Sequence, residues 1–468
     1  MAVGTCRHLL QNKITNLEWR VNIMTWENKK IPFIALSLII GVVFCISSSA
    51  YCWQTTDPQT AADYAKMLGF KTKDKVGKVA PEIKPGMKID GTNYKQYPGL
   101  AELLPKSLYD RMDPNAYAPM APIKIKETDQ YHLGKGWMDK SMQSAKTAKI
   151  EADGVTLKGY VGGYPFMNPK NGVELAQWYD NKYLGDSFAM RPMRLRLYGR
   201  DNKPERELRQ HLNVSRYMNC TDWRPQGIQP NPENVHYVVS GTFIYPKDLA
   251  GTSYVRKRFI PAGRPDEFLL YVASMRRIRR MSGRDTQDPL FGSDLVWDDY
   301  NTGWQKLSTT DFPNDYKILP AREMLLPTFV DYEWPNDRAS AGYTDYNIDE
   351  SGAQTYLNYG SWQRRWVYPL EITAKDTAYL YGKRIWIADP ETCLGLQYEC
   401  YDESGRLWRE WVRDYNLSQT GMGVMEELID IVDHINSHRT ILDFKGHKNP
   451  TWMGPQYGDV RFLSKKAK

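Results

Sequence analysis

Strand-like segments that follow one another from residue 149 onward are the feature that most limits how this chain folds. KIEADGVTLKGYV turns at Asp153-Gly154, and RPMRLRLYGRDNKPERELRQHLNVSRY turns at RDNK. The arm before RDNK alternates apolar with polar or aromatic side chains, which predicts one buried face, in the order Met193, Arg194, Leu195, Arg196, Leu197, Tyr198. A strand–helix–strand rhythm is absent. The order predicts a mostly β, α+β fold with a large antiparallel sheet and a few helices set on one face.

Few helices are predicted. Asp57 and Pro58 introduce TAADYAKML at helical spacing, and PGLAELLP and NGVELAQWYDNKYL follow the same pattern. The segment GVMEELIDIVDHI predicts one further amphipathic helix near the C-terminus. On that helix His434 and His438 would stand four residues apart, a spacing that suits a metal. No third ligand and no HEXXH motif accompany them, so we expect ordinary helix-end side chains and no metal.

The N-terminal residues carry the marks of an export signal. Lys29 and Lys30 precede the apolar run IPFIALSLIIGVVFCI, and Ser48 and Ala50 are small. This predicts cleavage after Ala50 and a soluble periplasmic protein, with residues 1–23 as an upstream extension. The alternative is an uncleaved N-terminal anchor, although the apolar run is short for a membrane span.

Four regions are predicted on this basis. They are a signal peptide with its extension, an N-terminal helix with an extended wrapping segment, a sheet region with a helical lid, and an irregular tail, at 1–50, 51–148, 149–440 and 441–468. The formal charge of the chain is +7, and residues 1–50 hold five basic and two acidic side chains. The mature part is therefore only mildly basic, which predicts no nucleic-acid partner.

The most basic stretch is MRRIRRMSGR, residues 275–284, which begins within the predicted strand FLLYVASMRRIRRM. Arginines bind phosphate or carboxylate groups bidentately, so one interpretation is contact with a head group or a partner, through Arg276, Arg277, Arg279 and Arg280. The other is pairing with the acidic residues of DLVWDDY, residues 294–300, on a neighbouring strand. The sequence favours the second.

An enzyme is not indicated. Asp298 and Asp299 stand near Trp297, Tyr300 and Trp304, as in a sugar site, but adjacent strand residues point to opposite faces, and glycoside cleavage needs two facing carboxylates. No GXSXG, Walker, paired CXXC or GXGXXG motif lies at a strand-to-helix junction. We expect no catalytic residue and no cofactor.

Aromatic strands near the C-terminus are the positive signal. In GKRIWIADPETCLGLQYECYDESGRLWREWVRDY, residues 382–415, Leu396 and Tyr398 share one strand face, and tryptophans occupy the flanking strands. Such residues form either ordinary core or an apolar wall that holds a lipid-like ligand. The residues predicted for that wall are Trp366, Trp386, Leu396, Tyr398, Trp408 and Trp411.

Ordered segments along the chain resemble a known family. RKRFIPAGRPDEFLLYVASMRRIRRMSGRDTQDP, SDLVWDDYNTGWQKL, YGSWQRRWVYPLEITA and YGKRIWIADPETCLGLQYECYDESGRLWREW occur in its order. The chain resembles, from about Lys149 to Tyr415, exported bacterial proteins of unassigned function that are labelled outer-membrane lipoprotein-sorting-like. The resemblance implies a fold related to the periplasmic lipoprotein carriers and receptors of the Lol system: a curved, unclosed β-barrel with helices plugging its mouth.

The resemblance also implies a function. The cavity of the Lol proteins shelters acyl chains, and members of the family are often encoded beside large hydrophobe exporters. We therefore expect a periplasmic, non-catalytic carrier of a lipid, a lipoprotein acyl chain or another hydrophobic molecule, with outer-membrane association as an option. Two alternatives stand. One is a subunit that docks onto an envelope or efflux complex through the extended N-terminal region, and the other is a glycan enzyme that uses Asp298 or Asp299 with a distant carboxylate.

Overall fold

The structure is a computed structural model, and it describes residues 58–182, 185–221, 227–282, 285–299, 305–328, 348–359, 361–417, 424–444 and 453–466. These residues belong to one compact unit, Trp53–Lys468. The predicted cleavage site after Ala50 and the predicted cap Asp57 lie outside the described residues. The four region boundaries remain predictions.

Short helices and long strands make up the regular structure. The helices are α1 (Pro58–Leu68), α2 (Leu100–Leu103), α3 (Lys106–Asp110), α4 (Lys135–Thr147), α5 (Gly172–Asn181) and α6 (Val460–Lys466). The first ten strands are β1 (Lys88–Ile89), β2 (Ile123–Lys124), β3 (Lys149–Ile150), β4 (Leu157–Lys158), β5 (Ser187–Tyr198), β6 (Pro204–Arg216), β7 (Val235–Tyr245), β8 (Ser253–Phe259), β9 (Glu267–Val272) and β10 (Arg277–Met281). The others are β11 (Asn314–Ile318), β12 (Arg322–Thr328), β13 (Ile348–Asp349), β14 (Tyr356–Leu357), β15 (Ser361–Ala374), β16 (Lys383–Asp389), β17 (Leu394–Tyr401), β18 (Leu407–Leu417), β19 (Val424–Asp433) and β20 (His438–Phe444).

One 14-stranded antiparallel sheet dominates the molecule, in the order β10-β9-β8-β7-β6-β5-β20-β19-β18-β17-β16-β15-β11, with β12 also pairing with β15. Two meanders, β5 to β10 and β15 to β20, meet where β5 pairs with β20. Among the described residues the edge strands β10 and β11 do not pair with each other, so the sheet is not closed. The predicted mostly β fold with a large unclosed antiparallel sheet and few helices is confirmed.

The two faces of the sheet carry different side chains. Trp386, Tyr398 and Trp411 lie side by side on three neighbouring strands, on the face that α5 covers, which we call the helix face. Glu399 and Glu410 also pair across β17 and β18, but on the opposite face, because successive strand residues alternate. The N-terminal segment, residues 69–131, contacts that side, which we call the N-terminal face.

Both faces are buried, which corrects the prediction of one buried face for β5. Met193 and Leu195 are fully buried on the helix face, as the alternation predicts. Arg194 and Tyr198 point to the other side, yet they are 4% and 0% exposed. The Arg194 Nε donates to Asp443 on β20 at 2.8 Å, so the charged side of this strand is an ion-paired layer. Charge alternation here marks a covered polar face.

The predicted C-terminal helix GVMEELIDIVDHI is wrong, because Val424–Asp433 is strand β19. Met425, Leu428, Ile429 and Val432 give the sequence a helical period. Since β19 is covered on both faces, its apolar residues need not alternate, and that period arises without a helix. The predicted helical spacing of His434 and His438 is therefore wrong too: His434 is the first residue of the β19–β20 turn, and His438 is the first residue of β20.

The predicted single strand FLLYVASMRRIRRM is also wrong. Residues 273–276 form a turn between β9 and β10, and Arg276 has φ 52°. Other local predictions are confirmed: the hairpin turn at Asp153-Gly154, the β5–β6 hairpin, and helices at Pro58–Leu68, PGLAELLP and NGVELAQWYDNKYL.

Candidate functional site

An aromatic layer on the helix face is the centre of the candidate site. Trp386 pairs in register with Tyr398, which pairs with Trp411. All three side chains are at most 1% exposed. Gly395 gives the Trp386 indole its room, because a Cβ at residue 395 would lie 1.9 Å from the indole Nε1.

Helix α5 covers this layer with two consecutive aromatic residues. The Tyr179 ring meets the Trp386 ring edge-on at 5.4 Å between centroids, and its hydroxyl lies 3.5 Å from the Tyr398 hydroxyl. Trp178 stacks on Tyr368 of β15 at 5.8 Å. The sequence signal for this contact is the WY pair in NGVELAQWYDNKYL, a segment whose spacing predicts a helix but not the strands that the helix covers.

Local interactions fix the start of α5. The Asn171 side chain accepts a hydrogen bond from the Glu174 N–H at 2.9 Å, and the Glu174 carboxylate accepts from the Lys170 N–H at 2.7 Å. The Asn171 cap satisfies a backbone donor that the first helical turn leaves unpaired, and the Glu174 carboxylate holds the residue just before the cap.

Further aromatic rings fill the space behind α5. Tyr164 meets Trp178 at 5.2 Å and Trp137 of α4 at 5.4 Å, and its hydroxyl lies 3.0 Å from that of Tyr64 on α1. The cavity beside Tyr179 measures about 10 Å³, which is room for one water and not for an acyl chain. The aromatic layer is therefore closed over in this structure.

The structure brings together only some of the predicted wall residues. Trp386, Tyr398 and Trp411 form the layer, and Leu396 is fully buried as the extra residue of a β-bulge in β17. Trp408 is half-buried, and its indole Nε1 donates to Asp433 at 2.9 Å. Trp366 is half-buried on the part of β15 that pairs with β12. Whether these six residues bind a ligand remains a prediction.

A buried arginine lies on the same face as the layer. Arg384 is two residues before Trp386 and is 1% exposed. Its guanidinium donates to the Asn314 side-chain oxygen at 2.6 Å and to the Tyr379 hydroxyl at 3.3 Å, while its Nε has no hydrogen-bond partner. None of the ion pairs in the described residues includes it. Although burial alone lowers the pKa of this arginine, nearby tyrosines raise the pKa well above its ordinary value, so the group stays charged.

Asp298 and Asp299 are engaged inside the protein. Asp298 accepts from Arg256 at 3.3 Å and from Tyr379 at 3.4 Å, whereas Asp299 accepts from the Tyr381 hydroxyl at 2.6 Å. Burial raises the pKa of Asp299 to about 6, against the opposing effect of its Tyr381 hydrogen bond. Asp298 and Asp299 lie in a turn, so the predicted placement on opposite faces of a strand is wrong, although the two carboxylates contact different tyrosines.

The two histidines near the C-terminus pair with acids. His438 Nδ1 lies 2.7 Å from Asp294, and His434 Nε2 lies 3.4 Å from Glu410. His438 lines an open groove of about 650 Å³ whose other walls are mainly charged, including Glu205. Within the described residues, no group of three His, Cys, Asp or Glu side chains is placed to hold a metal ion.

Ion pairs hold the N-terminal segment to the N-terminal face. Arg111, 2% exposed, pairs with Glu410 and donates to Asp430 at 3.0 Å. Burial raises the pKa of Glu410, but the charges of Arg111 and His434 outweigh it and lower the pKa to about 2. The same Asp430 oxygen accepts from the Tyr359 hydroxyl at 2.7 Å, and the other oxygen accepts from the Arg439 Nε at 2.6 Å. Both oxygens of this buried acid are therefore hydrogen-bonded.

Two glutamates fix the start of the N-terminal segment. The Glu323 carboxylate accepts from three consecutive backbone N–H groups, at residues 77–79, at 2.8 to 3.2 Å. Glu391 accepts from the Thr72 N–H at 2.7 Å and from Arg365 at 2.6 Å. Charged hydrogen bonds therefore anchor this segment along much of its length.

The arginine-rich stretch is exposed. Asp294, Asp298 and Asp299 bind the partners named above, so the predicted pairing of these acids with the arginines is wrong. Within the described residues the side chains make no ion pair or hydrogen bond, and all four are exposed: Arg276, Arg277, Arg279 and Arg280. Their predicted contact with a head group or partner remains open.

A family model described as protein of unknown function (DUF1329) matches residues 88–466. The chain belongs to the DUF1329 family. The resemblance to an exported family of unassigned function is confirmed by this match. A comparison of this DUF1329 chain with curated proteins gives no match.

Several solved structures of low sequence identity resemble the DUF1329 chain. One is a domain named provisionally for outer-membrane lipoprotein sorting, from Vibrio parahaemolyticus, with 17% identity, 63% of this chain and 98% of that chain covered, and a TM-score of 0.40. A DUF1329 protein from Desulfovibrio piger has 15% identity, with 62% and 95% covered and a TM-score of 0.41. A LolA superfamily protein from Nitrosomonas europaea has 15% identity, with 61% and 96% covered and a TM-score of 0.36. Among the described residues, no helix combines the length and hydrophobicity that a membrane crossing requires.

Proposed function

We propose that this DUF1329 protein is a non-catalytic periplasmic carrier of a lipid, a lipoprotein acyl chain or another hydrophobic molecule, accessory to outer-membrane sorting or hydrophobe efflux. The observation that supports it is the aromatic layer of the helix face, which α5 covers with Tyr179 and Trp178. In the loaded protein α5 moves aside and the ligand takes the place of these two rings. The proposed wall is Trp366, Trp386, Leu396, Tyr398, Trp408 and Trp411.

The energetics favour an exchange of this kind. An acyl chain that leaves water gains about 0.8 kcal/mol for each buried methylene. Withdrawal of Tyr179 and Trp178 exposes apolar surface, but a ligand that covers the same aromatic layer restores the burial. In the empty protein α5 thus occupies the position of the ligand and keeps water away from the aromatic layer.

Arg384 supports a narrower ligand class. A buried guanidinium beside an aromatic layer, with neutral partners and an unused Nε, suits an anionic head group whose tail lies over the rings. We therefore favour an amphiphile with a carboxylate or phosphate head over a neutral hydrocarbon.

Native mass spectrometry of protein purified gently from the periplasm, followed by organic extraction, tests the carrier function. A co-purifying amphiphile is the expected result. An apo mass, together with no uptake of added oleate, contradicts the proposal and favours the docking subunit, whose partner a pull-down from envelope extract would return.

The head-group preference has its own test. Wild-type protein is expected to bind oleate more tightly than oleyl alcohol, and Arg384→Met should remove that difference. If Arg384→Met does not fold, Arg384→Lys is the second variant, because it keeps the positive charge. The control is Arg406→Met, an exposed arginine whose partner is Asp402 on the β17–β18 turn. An equal loss of the preference for oleate in Arg384→Met and Arg406→Met would contradict the role of Arg384 in head-group binding.

A further inference from the structure

One end of the sheet carries a mixed apolar and basic surface. Thr242 of β7 pairs with Ser253 of β8, which pairs with Tyr271 of β9, which pairs with Ile278 of β10. The end of β7 and the β9–β10 turn therefore lie at the same end of the sheet, three strand spacings or about 15 Å apart. We call this surface the rim, formed by Ile244, Tyr245 and residues 275–280.

The rim holds most of the exposed large apolar side chains of the described residues. The described residues include six exposed large apolar side chains. Four of the six belong to the rim, and they are 41% exposed for Ile244, 46% for Tyr245, 58% for Met275 and 40% for Ile278. Single exposed apolar residues are ordinary, whereas four of the six at one end of the sheet mark a surface that another surface is expected to cover.

The rim arginines lack acidic partners of their own. Arg276, Arg277, Arg279 and Arg280 are exposed, and in the described part of the chain none makes a salt bridge. Half-buried Asp285 feels the charge of Arg279, which helps to lower the pKa of this acid after the larger effect of the Ser282 hydrogen bonds. On the β7 side, Asp248 pairs with Arg206 at 3.7 Å.

We propose that the rim docks this protein onto an anionic phospholipid surface. The apolar side chains stand at the end of the strands rather than in a groove, so they suit insertion between head groups more than the grip of a peptide. Arginines bind phosphate bidentately, and tyrosine side chains are enriched at the membrane–water interface. This inference rests on exposure and charge at the rim and holds whether or not the helix face carries a ligand.

Co-sedimentation of the purified protein with vesicles tests the proposal. Binding is expected to vesicles of phosphatidylglycerol and phosphatidylethanolamine, and to be weak on phosphatidylcholine alone. Each arginine removed should lower partitioning roughly fivefold. The variant R276Q/R277Q/R279Q/R280Q should therefore lose binding by about 600-fold, and Met275→Ser with Ile278→Ser should weaken it at any salt concentration.

The matched control changes the net charge equally elsewhere. K84Q/K95Q/K106Q/K124Q replaces four exposed lysines of the N-terminal segment and should leave most binding intact. Equal loss in both quadruple variants reduces the effect to net charge and overturns the proposal. Absence of wild-type binding to the anionic vesicles also overturns it, as does capture of an acidic protein in their place. Oleate uptake in the native mass spectra is unaffected by these outcomes, so the carrier function is judged separately.

Discussion

The helix face and the N-terminal face solve the same burial problem with different chemistry. On the helix face, rings of α5 pack on Trp386 and Tyr398, contacts that any apolar molecule of similar shape can replace. On the N-terminal face, Arg111 meets Glu410 and Asp430 in directional ion pairs. A buried charge that loses its partner costs far more than an apolar contact that is exchanged. The helix face is therefore suited to open, and the N-terminal face to stay closed.

The largest expected effect is on the N-terminal face. Arg111→Ala removes the arginine that two buried carboxylates share, leaving Glu410 with His434 and Asp430 with Arg439, and should lower the free energy of unfolding by about 4 kcal/mol. Urea denaturation followed by tryptophan fluorescence measures it. Arg406→Ala, on an exposed turn, is the control and should change little. Similar midpoints for the two variants would remove the distinction between the faces.

The matching change on the helix face is Tyr179→Ala. Loss of this buried ring should lower the free energy of unfolding by about 3 kcal/mol, measured by the same urea titration. Unlike Arg111→Ala, it should also create a cavity and raise the affinity for oleate. Tyr179→Phe keeps the ring and should retain wild-type affinity. Lower oleate affinity in the alanine variant would make Tyr179 part of the binding wall instead of a plug.

A smaller effect is expected at Gly395. Gly395→Ala places a methyl group against the Trp386 indole and should cost about 2 kcal/mol through overpacking. Thermal unfolding measures the change, and near-ultraviolet circular dichroism reports the displaced indole. The control is Gly263→Ala, where the nearest atom to an added Cβ is 3.6 Å away. An unchanged melting temperature for Gly395→Ala would mean that Trp386 already has freedom to move.

The smallest and most diagnostic difference is in pH dependence. The folded pKa of Glu410 is lowered to about 2, against burial and chiefly by Arg111, so its contribution to stability is lost as pH falls from 4.5 to 2. Burial raises the folded pKa of Asp299 to about 6, so stability is lost as pH rises from 3.8 to 6. Unfolding curves across pH 2–7 should show Glu410→Gln flattening the acid limb and Asp299→Asn the other. One variant flattening both limbs would contradict these assignments.

The sequence predicts the sheet well because hairpin turns and strand composition are local. It does not predict the β-bulge at Leu396, which interrupts the alternation on which the predicted shared face of Leu396 and Tyr398 depends. It misses β19, whose two covered faces allow a helical period. Tyr179 is missed for a different reason: a WY pair on a helix does not say which strands it packs against.

The N-terminal face could not be predicted from composition. The sequence places Arg111 almost three hundred residues before Glu410, and nothing local marks them as partners. Arg194 and Arg196 suggest a solvent-exposed side because charges usually face water. That side is buried only by contacts with segments that are distant in the sequence, such as the contact between Arg194 and Asp443.

The pairing of β5 with β20 has a consequence for the order of folding. Arg194 stands opposite Asp443, so the centre of the sheet joins residues about 250 positions apart. Contacts of such long sequence separation form slowly, because a large loop must close first. Each meander can assemble from local hairpins, but the seam between them waits for the C-terminal strand. Removal of β20 would therefore separate the two meanders and expose a strand edge on each. The shortened chain should aggregate as a result.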